Sequence, residues 1–310
     1  MLTSNVTRGR DGRHVQVFSN NEMRYEIWEK IDRCNLEACE KWIVLSVVDL
    51  MDLTGLCITQ IKEVKAIAAK KLCSPIYQAN ELPIPDIVFS FGSKQLDYAF
   101  QNLLKGGSVL ELWGKAGSGK TQLALQICSA LSPDNHSAYI STEGVVPTSR
   151  LLEMCNARGI SQANCNIQCC NSVESFTECV MKQLPVLITL KCIKLIVIDS
   201  IAAPFRAGEV DGDGIKRAQT IRSIGQQLKY LAHHHSLLVV VLNQATENPS
   251  NGLIPALGMT WSYLINSRLM IQKIDHTDNS VGLRRITVQK ASCIKLGKYV
   301  DCTIQKDGVI

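Results

Sequence analysis

The sequence lacks several features that would assign it to a membrane-spanning or disordered class. No uninterrupted apolar run approaches the roughly 20 residues that a membrane-spanning helix needs, so we expect no membrane contact. Charged residues make up only 20% of the 310 and apolar residues 46%, a balance typical of a globular chain and not of a disordered one. The net charge of +5 is mild, so it permits contact with nucleic acid without requiring it.

The thirteen cysteines lack the patterns that would indicate disulfides or bound zinc. Their number is odd, and no two of them are spaced as C-x-x-C. The first 16 residues are polar and hold no apolar core typical of a signal peptide, which predicts a reducing compartment. One local cluster also lacks zinc-ligand spacing: Cys155, Cys165, Cys169, Cys170 and Cys179. Free cysteines of this kind commonly fill space as small apolar side chains.

One glycine-rich stretch carries a specific signal. Residues 114–121 read GKAGSGKT, which fits the phosphate-binding pattern G-x-x-x-x-G-K-T. An apolar run at 109–113 precedes the stretch and a helical pattern at 123–127 follows it, which is the strand, loop and helix order that the motif requires. Backbone N–H groups of such a loop turn toward phosphate oxygens, and the positive end of the following helix adds to the attraction.

The residues of this loop have expected roles. Lys120 would contact the β- and γ-phosphates of a nucleoside triphosphate, and the Thr121 hydroxyl would hold Mg²⁺. The expected cofactors are therefore ATP and Mg²⁺. The full set of residues in this segment expected to contact the nucleotide is Gly114, Lys115, Ala116, Gly117, Ser118, Gly119, Lys120, Thr121 and Gln122.

The chain is predicted to divide into four segments. Residues 1–21 read as a flexible polar tail, 22–72 as a small helical domain, 73–88 as a proline-bearing linker and 89–310 as an α/β core. Within the small domain, two helices joined by a tight turn at Gly55 resemble a helix-hairpin-helix. Such a domain either binds a DNA phosphate or serves only for docking, and the sequence leaves both interpretations open.

The core is predicted to hold a mainly parallel sheet. Runs such as 195–198 and 237–242 are apolar at every position, as expected for strands that helices cover on both faces. Helical patterns at 148–158, 173–184 and 214–234 separate these strands. Shorter strands after Leu264 extend the sheet.

Three polar residues follow strands and should meet at the carboxyl edge of this sheet. Asp199 would support the metal ion beside Thr121, the alternative being a helix cap. Glu143 is the expected general base for hydrolysis, or else a surface glutamate. Gln244 would contact the γ-phosphate and report its loss, or serve as a structural amide. The expected catalytic set is Lys120, Glu143 and Gln244.

These segments together resemble the RecA-type recombinases of eukaryotes and their paralogues. The resemblance is carried by the phosphate loop and by residues 141–144, 195–200 and 241–244. It implies a RecA-like ATPase core with a small helical domain, in a nuclear and also cytoplasmic protein that assists the main recombinase in homologous repair and meiotic recombination. Weak, DNA-stimulated ATP hydrolysis is implied; a non-hydrolysing adaptor and a self-sufficient recombinase are the alternatives.

The resemblance also implies partners. Arg150 matches the arginine that stacks on adenine in the family. In the linker, Ile76-Tyr77-Gln78-Ala79 is similar to the phenylalanine-x-x-alanine peg that docks one protomer on the next, with Ile76 in place of the aromatic residue. The implied partner is the C-type paralogue of the same group. The main recombinase filament and single-stranded or branched DNA, bound without sequence specificity, are further implied partners.

Three departures from the family pattern argue against autonomous strand exchange. The first DNA-binding loop, residues 206–213, carries three carboxylates that would repel phosphate. The second, between Thr246 and Pro255, is short and has no lysine or arginine. Lys290-Ala291-Ser292 stands where the family recombinase has an acidic residue and a proline over the neighbour's ATP.

Overall fold

The computed structural model describes residues 6–8, 14–19, 21–73, 89–160, 164–206, 214–248, 252–274 and 282–310. The chain forms two compact units, Met1–Ile84 and Pro85–Ile310. Among these described residues, one hydrophobic core lies in the first unit and two lie in the second. The finer division into a tail, a linker and two domains stays a prediction.

The first unit is mainly helical. Its strands are β1 (Val6–Arg8) and β2 (His14–Gln16), and its helices are α1 (Tyr25–Arg33), α2 (Cys39–Val44), α3 (Val47–Thr54) and α4 (Ile58–Leu72). The two strands pair antiparallel within the segment predicted as a tail, where no apolar–polar alternation indicated strands. The helices close around the fully buried Trp42, whose indole N–H donates to the Leu36 carbonyl at 2.8 Å.

The turn between α3 and α4 has the predicted form. Gly55 caps α3 with φ of 63°, a left-handed conformation that favours glycine. Two lysines of α4 are held within this unit: Lys65 donates to the Leu45 carbonyl at 2.7 Å, and Lys71 forms an ion pair with Glu22 at 2.7 Å. These contacts reduce the number of α4 cations available to a DNA phosphate.

The second unit alternates helices and strands. In chain order they are α5 (Lys94–Ala99), β3 (Ser108–Gly114), α6 (Lys120–Ser129), β4 (His136–Ser141), α7 (Thr148–Ala157), β5 (Cys165–Cys169), α8 (Val173–Glu178), α9 (Leu184–Lys191), β6 (Ile193–Asp199), α10 (Gly214–His235), β7 (Leu238–Asn248), β8 (Gly252–Pro255), α11 (Gly258–Ser262), β9 (Ser267–Lys273), β10 (Leu283–Lys290), β11 (Tyr299–Gln305) and β12 (Gly308–Val309).

These strands form one sheet in the order β12-β11-β10-β9-β3-β7-β6-β4-β5, with β8 paired to β7. The six neighbouring strands β9, β3, β7, β6, β4 and β5 run parallel, which agrees with the predicted mainly parallel sheet. The strands after β9 in sequence extend the sheet, as predicted, and they pair antiparallel. Alternate residues of one strand enter different cores: Leu110 and Leu112 lie in one, Val109 in the other. The parallel order brings the carboxyl ends of β3, β4, β6 and β7 to one edge.

Two segments differ from the sequence prediction. The helix predicted at 173–184 continues through a π-helical segment, Cys179–Gln183, into α9, where Pro185 occupies the first turn and needs no hydrogen-bond partner. The described part of the second predicted DNA loop is a hairpin, because β7 runs to Asn248 and pairs antiparallel with β8. Within the described residues, every helix is too short or too polar to cross a lipid bilayer.

Two predicted features lie outside the described residues. These are the docking peg at Ile76-Tyr77-Gln78-Ala79 and the carboxylates of the first DNA loop, Glu209, Asp211 and Asp213.

Candidate nucleotide-binding site

The glycine-rich loop connects β3 to α6, which begins at Lys120. Gly119 has φ of 104°, and a side-chain β-carbon built there would come within 2.5 Å of the Ile304 Cδ1 atom. The backbone conformation therefore favours glycine at this position, and any larger residue would also have to displace the end of the Ile304 side chain. The loop is thus backed by the C-terminal strands of the sheet.

Three predicted residues meet at the first turn of α6. The Thr121 hydroxyl donates to the Asp199 carboxylate at 2.8 Å, across 78 residues of sequence. The Lys120 Nζ atom donates to the carbonyls of Gly114 and Lys115, each at 2.9 Å. Lys120 is thus held over the loop, and Asp199, which ends β6, lies beside Thr121.

Burial shifts the ionisation of both charged groups. It raises the pKa of Asp199, against the lowering effect of hydrogen bonds from Tyr139 and Thr121. It lowers the pKa of Lys120, against the attraction of Asp199 and Glu143. Each shift favours the neutral form, so a bound cation beside Asp199 and a bound anion beside Lys120 would restore the charged forms.

Tyr139 belongs to this site although the sequence analysis missed it. Its hydroxyl donates to the same Asp199 oxygen as Thr121, at 2.6 Å, and burial raises its pKa above the ordinary value, so it remains a donor. An aromatic residue within an apolar strand such as β4 is typical of a core position. No local signal in the sequence distinguishes it from one.

Glu143 and Gln244 are in contact, as their positions at strand ends suggested. The Glu143 carboxylate accepts hydrogen bonds from the Gln244 side-chain amide, from Ser200 at 2.8 Å and from Arg206 at 2.8 Å. The pair with Arg206 is about half exposed, with 53% of the arginine and 43% of the glutamate side chain accessible. Such an exposed pair is weak, so it restrains the carboxylate without removing it from the site.

Arg150 lies beside Gln122, with its Nε donating to the glutamine at 2.7 Å. Its terminal nitrogens donate to Glu153 at 2.9 Å and to the carbonyls of Gln305 and Lys306 at 2.6 and 2.5 Å. These bonds use the edge of the guanidinium group. Stacking on an adenine uses the plane of the group and is compatible with them.

Lys290 forms hydrogen bonds within its own chain. Its Nζ atom donates to the carbonyls of Ser262 and Ile265, both at 2.7 Å, and burial lowers its pKa. Lys290 therefore anchors the segment that follows α11.

The residues present fit a magnesium nucleotide. The Ser118 hydroxyl is buried and has no hydrogen-bond partner among the described residues, as expected of a loop shaped for a polar ligand. Across the described ranges, no three histidine, cysteine, aspartate or glutamate side chains are grouped closely enough to hold a metal ion. Mg²⁺ on a nucleotide keeps most of its water and needs only one or two protein oxygens, which Thr121 and Asp199 supply.

The sequence is similar to those of known proteins. The sequence model of a family described as Rad51 matches residues 86–259. "DNA repair protein XRCC3" of Bos taurus is 31% identical over 214 residues, covering 59% of this chain and 62% of that protein. The Mus musculus protein of the same name is 28% identical over 314 residues, covering 86% and 89%. "DNA repair protein RAD51 homolog 2" of Homo sapiens is 25% identical over 337 residues, covering 92% and 86%.

A solved structure shows the same fold. "Crystal structure of the RadB recombinase" superposes with a TM-score of 0.60 at 24% identity, covering 72% of this chain and 98% of that chain. The prediction of a RecA-like core is confirmed by this likeness and by the family match.

Proposed function

Because the chain belongs to the Rad51 family, we propose that it is an ATP-binding accessory of homologous recombination, supporting a main recombinase in double-strand break repair and in meiosis. Its relatives are named DNA repair proteins. The observation that carries the proposal is the contact of Thr121 with Asp199 at the end of a complete phosphate loop. A nuclear and also cytoplasmic location belongs to the same proposal.

The phosphate loop and Lys120 bind the β- and γ-phosphates, and Thr121 and Asp199 hold the metal ion. When bound, Mg²⁺ neutralises charge on the phosphate oxygens. Gln122 lies in the first turn of α6 and Arg150 lies on α7. In this proposal Arg150 stacks on the adenine. Tyr139 orients the Asp199 carboxylate through its hydroxyl.

Hydrolysis in this proposal is weak and uses Glu143 as the general base, with Gln244 sensing the γ-phosphate. The Arg206 contact occupies one oxygen of Glu143, so that oxygen must be released before it can take a proton from water. The same contact favours a second candidate function, an adaptor that binds ATP as a structural element and does not hydrolyse it.

Assembly with other chains completes the proposal. The peg at Ile76-Tyr77-Gln78-Ala79 docks on the C-type paralogue, and the complex acts on the main recombinase filament and on single-stranded or branched DNA. A self-sufficient recombinase is the less favoured alternative, since the second DNA loop carries no cation and Lys290 is bound to its own chain. The small helical domain contributes docking, or contact with DNA phosphates.

The test measures binding of a fluorescent ATP analogue with Mg²⁺ by wild type, Lys120→Ala and Lys191→Ala. Loss of Lys120 should weaken binding at least about tenfold, since it removes a charged hydrogen bond to phosphate. Lys191 is exposed near the amino end of β6, so its removal is the matched control. Lys120→Ala should also recover less partner when the untagged complex is purified. Intact nucleotide binding and intact partner association in Lys120→Ala would refute the proposal.

Single-turnover hydrolysis separates the alternatives. An ATPase accessory loses turnover in Glu143→Gln, whereas an adaptor has no turnover to lose. The purified protein alone, given ATP and single-stranded DNA, should form no filaments; filaments would favour the self-sufficient recombinase.

A further inference from the structure

An arginine of β10 lies directly behind the phosphate loop. The Arg284 Nε atom donates to the Ser118 carbonyl at 2.9 Å, and its Nη2 atom donates to the Gly117 carbonyl at 3.3 Å. The third nitrogen donates to the carbonyl of Leu283 at 2.9 Å. The residue is only 9% exposed, so this guanidinium group is buried against the back of the loop.

Among the described residues, no carboxylate balances the charge of Arg284. Its three contacts are all backbone carbonyls, and within the described part of the chain no aspartate or glutamate lies at ion-pair distance from it. The neighbouring Arg285 differs, since it forms a two-fold pair with Asp301 at 2.7 and 2.8 Å. A buried cation without a counter-charge is costly, and a polyanion bound on the other side of the loop would offset that cost.

The bond to Ser118 also fixes the direction of a donor. The carbonyl of one residue and the N–H of the next point in opposite directions across a trans peptide. When Arg284 holds the Ser118 carbonyl at the back of the loop, the N–H of Gly119 is turned toward the front. The Ser118 hydroxyl, buried and without a partner in the described residues, lies in the same turn.

We infer that Arg284 is a positioning residue of the nucleotide site, which aims the Gly119 N–H at a phosphate and contributes a buried positive charge behind it. This inference rests on the proposed binding of a nucleoside triphosphate. It concerns a residue outside the phosphate-loop motif, and it gives the C-terminal strands a part in nucleotide affinity.

The experiment measures the dissociation constant of a fluorescent ATP analogue and the thermal shift that ATP with Mg²⁺ induces, on the full chain. The variants are Arg284→Met, Arg284→Lys and, as matched control, Arg285→Met, which removes the same charge from the next residue of the strand. Arg284→Met should bind at least about tenfold more weakly, because the Gly119 N–H is no longer aimed at the phosphate and the buried charge behind it is lost, an effect comparable to one charged hydrogen bond. The affinity of Arg284→Lys should lie between those of wild type and Arg284→Met, because lysine keeps the positive charge and loses the paired hydrogen bonds of the guanidinium group. Arg285→Met should bind as wild type does.

The outcomes separate this inference from the proposed function. Failure of the wild type to bind the analogue contradicts the proposed function itself. Wild-type binding together with unchanged affinity in Arg284→Met overturns the inference alone. A purely structural role would lower the melting temperature equally with and without nucleotide, whereas the inference expects a smaller nucleotide-induced shift. Should Arg284→Met fail to fold, Arg284→Lys decides: affinity equal to that of the wild type overturns the inference.

Discussion

At the scale of single residues, two opposed effects act on the ionisation of Asp199. Metal binding needs its carboxylate charged, and the hydrogen bonds from Thr121 and Tyr139 favour that form. Burial opposes it and is the larger effect, so the pKa of this group is raised. Without a cation, burial therefore makes the charged carboxylate less stable in the folded protein than in water, a perturbation typical of binding sites.

Replacing Asp199 by asparagine should stabilise the protein without nucleotide at neutral pH. A folded pKa above the unfolded value means that the folded state binds more protons between the two values. The free energy of unfolding therefore falls as pH rises from the ordinary carboxyl pKa, about 4, through the raised one. Asp199→Asn lacks this fall, so its stability relative to wild type should grow with pH across that interval. Urea denaturation at several pH values measures it. A stability difference between the two proteins that stays constant with pH would contradict the expectation. Thr121→Val is the control: it tests whether loss of the hydroxyl contact alone produces the same pH-dependent difference.

At the scale of elements, one buried acid joins the central strands. The Glu111 side chain, in the middle of β3, is fully buried and pairs with the Arg268 side chain of β9. It also accepts from Asn243 of β7 at 2.7 Å and from the Trp261 indole of α11 at 2.8 Å. Because Asn243 precedes Gln244, this network fixes the strand end that carries the expected γ-phosphate sensor.

Removing Glu111 alone should lower the free energy of unfolding more than removing both Glu111 and Arg268. Glu111→Leu leaves the Arg268 charge buried and uncompensated, which should cost about 3–5 kcal/mol of the free energy of unfolding. The double variant Glu111→Leu, Arg268→Met should recover part of this loss, since no charge is left unpaired, whereas the Trp261 indole N–H still lacks its acceptor. Chemical denaturation of the two single variants and the double variant measures the coupling. Additive losses in the double variant would show that the two side chains do not act together.

The sequence predicted the elements better than their polar contacts. Apolar runs such as β6 and β7 revealed the buried strands, and the glycine spacing of the phosphate loop predicted the strand, loop and helix in their observed order. Glu111 and Arg284 were missed because their partners lie 157 and 166 residues away in sequence. A single polar residue in a strand gives no local indication of what it meets. Periodicity predicts which face is buried, but not which buried side chain is charged.

At the scale of the whole molecule, the two units have separate cores, and all described nucleotide-site residues belong to one of them. Ile31, Trp42 and Ile61 belong to the core of the first unit, whereas the phosphate loop, Asp199 and Arg284 lie within Pro85–Ile310. A ligand stabilises only the cooperative unit that binds it. Nucleotide binding should therefore stabilise only the unit Pro85–Ile310 against unfolding.

Calorimetry of the full chain should show two unfolding transitions, of which ATP with Mg²⁺ raises only one. At a free nucleotide concentration of 100 times the dissociation constant, the binding unit gains about 2.7 kcal/mol. For a unit of roughly 200 residues this corresponds to a shift of about 5–10 °C. The smaller unit has no residue of the candidate site, so its transition should stay in place. Lys120→Ala should reduce the shift, to about half if binding is tenfold weaker, while leaving both transitions visible. A single transition, or equal shifts of both, would show that the two units unfold as one cooperative body and that nucleotide binding stabilises the entire chain.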